Sequence, residues 1–133
     1  MAKFAVEANK AANALSSTTK KYTDAALIFY QQGLGTEDVK ERTDATIKMA
    51  NVTGEAVDEV SSYMTAVWNN FNKDGTQSVE HYGDIMTKLG AETAASTAEI
   101  AGGLEKFAAV ADTIGLSFEY ATSSITTIVD KTR

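Results

Sequence analysis

The chain is 133 residues long, contains no proline and no cysteine, and carries a formal net charge of −6. That length suits one domain with a real core; the missing proline removes the strongest helix breaker, and the missing cysteine excludes a disulfide framework and thiolate chemistry. Acids and bases are interspersed, which disfavours sequence-independent DNA binding because that needs a basic surface to displace counterions, and the longest apolar run, 25–30, is far below the ~20 residues that span a bilayer.

Residues 2–15 are alanine-rich, with Phe4, Ala8, Ala11, Ala12 and Leu15 on one helical face. Alanine favours helix but buries little area. Residues 1–18 therefore read as an N-terminal helix that docks loosely, and 19–133 as the helical core module. Residues 16–19 are a break or capping site. The next helix covers 19–32; its centre, AALIFY, is apolar nearly all round, which calls for contact on two sides. Gly33 and Gly35 punctuate it. Thr36 opens a polar helix to about Asn51, with Glu37 and Asp38 in the first turn, where they suit the helix dipole. Its apolar stripe is narrow: Val39, Thr43, Ile47 and Ala50. After a turn at 51–54, the helix over 55–71 has a clean face of Val57, Val60, Met64, Val67, Trp68 and Phe71. Trp68 and Phe71 are expected to anchor the core at about 2–3 kcal/mol each. A loop, NKDG, follows at 72–75. Residues 78–89 are helical with Val79, Tyr82, Ile85, Met86 and Leu89 inward, and Gly90 is expected to stop that helix.

The stretch 97–132 predicts an αα-hairpin. Ile100, Leu104, Phe107, Ala108, Ala111 and Ile114 recur at spacings of three and four. Ser96 followed by Glu99 fits a capping box. Gly115 ends the first helix and Ser117 can cap the second, whose face is Phe118, Ala121, Ile125, Ile128 and Val129. Phe107 and Phe118 join Trp68 and Phe71 as core anchors. Laying 36–70 on 97–131, 61 positions on, brings Val39 onto Ile100, Ala50 onto Ala111, Gly54 onto Gly115, Val57 onto Phe118 and Val67 onto Ile128. Two independent hairpins and two related helical units both remain open. The whole reads as an all-α, compact multi-helix bundle of about six helices built from αα-hairpins, with a radius of gyration near ~15 Å.

No constellation carries chemistry. Asn70, Asn72, Asp74 and Gly75 match the first half of an EF-hand loop, but His81 stands where the bidentate glutamate belongs; an inter-helix turn is the preferred reading. His81 beside Glu80 and Asp84 falls short of a zinc or iron site. One histidine and no cysteine leave no nucleophile–base pair. Glu37, Asp38, Glu41 and Asp44 interleave with Lys40, Arg42 and Lys48, as on a solvated helix face. The expectation is no catalytic residue, no metal ligand, no cofactor and no enzymatic activity. Gly102 and Gly103 each cost up to ~1 kcal/mol against alanine inside a helix. Ala98 and Gly102, four apart, are the candidate for close approach of a neighbouring helix, from this chain or another copy.

The run GLEKFAAVADTIGLSFEYAT, closing on VDKTR, with IKMANVTGEA and YMTAVWNNF before it, resembles the core region of phage tail tape measure proteins from about residue 25 to residue 133. The resemblance implies a fragment of a long, mostly helical structural protein of a phage or prophage tail. Such a protein sets tail length, takes part in tail assembly and leaves ahead of the DNA during ejection. Implied partners are tail tube proteins, tail assembly chaperones, tail tip or baseplate proteins and other copies of itself, with no sequence-specific nucleic acid and no membrane span. The implied location is the virion tail, and the host cytoplasm during assembly. The alternative is a non-catalytic helical adaptor with no virion role.

Overall fold

The computed structural model describes residues 2–71, 79–93, 96–113, 115 and 117–132. Among them are seven α-helices and no strand: α1 Ala2–Ala14, α2 Thr19–Gln31, α3 Thr36–Thr53, α4 Val57–Phe71, α5 Val79–Glu92, α6 Thr97–Thr113 and α7 Phe118–Thr132. The all-α class is as the sequence indicates. Against the expected count of about six, the described residues hold seven helices, and the alanine-rich N-terminus forms one of them with a defined end. There the Ser17 N–H donates to Ala12 O at 2.8 Å and the Ser16 N–H to Asn13 O at 3.2 Å. Ser16 sits at φ 53°. This is a Schellman ending made with serine where glycine is usual.

Most helix ends follow from local chemistry. The Lys21 N–H donates to Thr18 Oγ1 at the start of α2. Ser96 and Glu99 exchange bonds across the first turn of α6: the Ser96 N–H donates to Glu99 Oε2 at 2.8 Å, and the Glu99 N–H to Ser96 Oγ at 3.2 Å. The Tyr120 N–H donates to Ser117 Oγ at the start of α7. Gly54 and Gly115 hold φ 75° and 73°, a left-handed conformation that costs an L side chain about 1–2 kcal/mol. Gly90 departs from expectation: it lies inside α5, which runs on to Glu92. A Cβ at that position would stand 2.6 Å from Thr97 Oγ1 and 2.9 Å from the Thr97 nitrogen. Glycine is needed there for the passage of α6's first turn, not for a helix end.

By contact the chain divides into two units, Met1–Ser61 and Ser62–Arg133. In the first, α2 packs on both α1 and α3. The shared core is Ala8 and Ala12 of α1, Tyr22 and Ala25 of α2 and Ile47 of α3, with Phe4, Leu15 and Val57 packed against it. Polar ties fix the register. The Tyr22 hydroxyl donates to Asp44 Oδ1 at 2.7 Å, Thr19 Oγ1 to Asn9 Oδ1 at 2.8 Å, and Asn51 Nδ2 to Leu15 O at 2.6 Å. The alanines of α1 are buried, yet each removes little apolar area from water.

In the second unit α5 packs on α6 and α7, and α6 on α7. Aromatic side chains hold its centre. The Tyr82 and Phe118 rings meet edge-on at 4.8 Å, and Phe71 and Phe118 at 5.4 Å. The Trp68 Nε1–H donates to Val79 O at 3.0 Å and the Tyr82 hydroxyl to Phe71 O at 3.1 Å. Buried tyrosine and tryptophan thus keep a partner for their polar ends.

Candidate functional site

His81 stands on the first turn of α5, and its Nε2 lies 2.9 Å from Glu119 Oε1 on α7. An N–H there donates to the carboxylate and holds Glu119 below its usual range, aided by a backbone hydrogen bond. Both side chains are substantially exposed, so the pair is a surface clasp between two helix starts. Sequence reasoning looked for His81's partner one turn away and missed one 38 positions along. Only the packing of α5 on α7 could reveal it.

On α3, Glu37, Asp38 and Glu41 are exposed and Asp44 is half-buried. Asp44 accepts from Tyr22, whose phenol is pushed far above its ordinary value, first by burial and then by that bond. Arg42 is lowered, chiefly by burial, with Asp38 acting the other way. Among the described residues no three His, Cys, Asp or Glu side chains gather as a metal would need, and no described helix is long and apolar enough to cross a membrane. The EF-hand-like residues Asn72, Asp74 and Gly75 lie outside the described residues, while Asn70 Nδ2 donates to Ala66 O within α4.

Of the core anchors, Trp68 and Phe118 are buried and Phe71 is half-buried; the Phe107 side chain lies outside the described residues. Ala98 is exposed, and a Cβ added at Gly102 would meet nothing within 4 Å. Within the chain, the glycine that a neighbouring helix meets is the next one. A Cβ at Gly103 would lie 2.6 Å from Ile125 Cγ2, so α7 crosses α6 there with no room for a side chain. Periodicity alone could not choose between two adjacent glycines about 100° apart around the helix.

What the described surface offers is helix faces. Leu27, Val52, Val110, Tyr120 and Ile128 are large apolar side chains left exposed. The class is therefore an all-α protein of two helical units with large apolar side chains exposed on several helices. More particularly, the chain belongs to the phage-related minor tail protein family, which matches residues 9–133; it is a phage tail protein. No curated protein and no solved structure matches it.

Proposed function

We propose that this chain is part of a tape measure protein: a structural component that sets tail length and takes part in tail assembly and DNA ejection through helix–helix contacts. The observation that carries the reading is the minor tail family match over residues 9–133, joined to the tape-measure resemblance of residues 25–133. Its partners in this role are tail tube proteins, tail assembly chaperones and tail tip or baseplate proteins. It works in the virion tail and, during assembly, in the host cytoplasm.

A ruler works by extension, at about 1.5 Å per residue of helix. The helices here turn back on one another inside each unit, so this segment adds little to the measured length and serves as a folded module within the ruler. The test is tail length in electron micrographs of the phage that encodes the chain. Lengthening or shortening the parent gene outside this segment is expected to change the tail by about 1.5 Å per residue. Tails of unchanged length would overturn the proposal.

A further inference from the structure

Each unit is built on one helix that carries a buried tyrosine, and the two units can be laid on each other helix by helix. α2 and α5 start at Thr19 and Val79, 60 positions apart. α5 has 14 residues against 13 in α2, and α3 and α6 accordingly start 61 positions apart, at Thr36 and Thr97. Counting back from α2 and α5 without a gap sets α1 on α4 from Ser62 onward. This register brings Tyr22 onto Tyr82, both buried. It also brings Phe4 onto Met64, Ala8 onto Trp68, Ala26 onto Met86, Val39 onto Ile100 and Thr43 onto Leu104.

The second unit fills these places. Met64, Trp68, Met86, Ile100 and Leu104 are all at 1% exposure or less. The first unit has smaller side chains at Ala8, Ala26, Val39 and Thr43. Those four, with Phe4 and Tyr22 among others, line a cavity of about 110 Å³. Glu7, Glu37 and Lys40 also line it and are exposed, so it opens to solvent. The two buried hydroxyls in the lining are already committed: Tyr22 donates to Asp44 Oδ1, and Thr43 donates to Val39 O at 2.6 Å. The buried part of the lining is therefore apolar in effect, and an apolar cavity of up to ~150 Å³ stays dry and accepts a guest the size of benzene. Two carboxylates against one ammonium at the opening disfavour a guest with a negative charge of its own.

We infer that this cavity of the first unit is a binding site for a single aromatic ring without an acidic group, and that the ring takes the place that Trp68 and Met86 fill in the second unit. A free small molecule and an aromatic side chain of a partner polypeptide both supply such a ring, and the chemistry of capture is the same. Register and cavity carry the inference, independently of the tape-measure reading.

Titration of the 133-residue chain with benzyl alcohol, followed through the methyl resonances of Ala8, Ala26 and Val39, is expected to give saturable shifts with a Kd of about 0.1–10 mM. A short uncharged peptide with one phenylalanine is the second probe, and the tighter of the two identifies the source of the ring. Benzoate is expected to bind more weakly than benzyl alcohol. Ala26→Met and Thr43→Leu copy Met86 and Leu104 into the cavity. Each is expected to weaken binding at least tenfold and to raise the melting temperature by about 2–6 °C. Circular dichroism shows which variant is folded, and one folded variant suffices for the comparison. Leu27→Ala, at an exposed position of α2, is expected to leave binding unchanged. No saturable shift with either probe, benzoate bound as tightly as benzyl alcohol, or undiminished binding in a folded Ala26→Met or Thr43→Leu chain would each overturn the inference.

Discussion

Ser61 and Thr122 make the same hydrogen bond 61 positions apart. Ser61 Oγ donates to Val57 O at 2.8 Å and Thr122 Oγ1 to Phe118 O at 2.7 Å, each from a side chain with no exposure. A hydroxyl that returns to the carbonyl four residues back makes a hydrogen bond inside its own helix, which offsets part of the cost of burying it. The 61-residue register also holds at the helix starts. α3 and α6 begin at Thr36 and Thr97, and α4 and α7 at Val57 and Phe118. The left-handed Gly54 and Gly115 sit between the helices of each pair.

Those two glycines supply the first prediction. Gly54→Ala and Gly115→Ala each force a Cβ into a left-handed backbone although nothing crowds either site. Each is expected to lower stability by about 1–2 kcal/mol in urea titration. Ser16→Gly should act in the opposite sense, raising stability by several tenths of a kcal/mol or more, because Ser16 already bears that strain.

Gly102 and Gly103 should answer alanine in opposite ways. Gly102→Ala meets open space and gains up to about 1 kcal/mol of helix propensity. Gly103→Ala drives a Cβ into the branched β-carbon region of Ile125 and is expected to destabilise by about 1–3 kcal/mol. Ile125→Ala in the same chain should recover part of that loss, a double-mutant cycle readable by thermal melting.

Thr46 is the exception among the buried hydroxyls: its Oγ1 finds no hydrogen-bond partner among the described residues. Thr46→Val keeps the shape and removes the unpaired group. The expected gain is about 1 kcal/mol in the denaturation midpoint multiplied by the denaturant slope.

Trp68→Ala should cost about 3–5 kcal/mol, since the indole is among the largest fully buried side chains. Trp68→Phe keeps most of the apolar area but drops the bond to Val79 O. About 1 kcal/mol is expected from that loss, measured by chemical denaturation.

Two groups give opposite pH dependences. Glu119 is held below its ordinary value in the folded chain. Its stabilising contribution is therefore present above the unfolded pKa of about 4.3 and is lost as pH falls through the folded value. Glu119→Gln should cost roughly 0.2–1 kcal/mol at pH 7, the small figure suited to an exposed pair, and nothing in strong acid. Tyr22 is raised, so its contribution is complete below the unfolded pKa of about 10 and disappears as pH climbs toward the folded value. Ultraviolet titration should show the Tyr22 phenol ionising above the ordinary range, a component of the curve that Tyr22→Phe should remove.

The sequence by itself determined the helical class, the capping box at Ser96 and Glu99, the Ser117 cap and the glycine turns at 54 and 115, because each rests on bonds or backbone angles within a few residues. It also displayed the apolar stripes, since a stripe is a matter of spacing along one helix. Only the tertiary structure decided that Gly90 belongs inside a helix, that Gly103 rather than Gly102 is the crossing point within the chain, and that His81 reaches Glu119. It alone showed that Ile128 is bare where Val67 is covered. Each of those depends on how far one helix is rotated and shifted against another, and several elements packing at once set that angle. No local window of residues contains it.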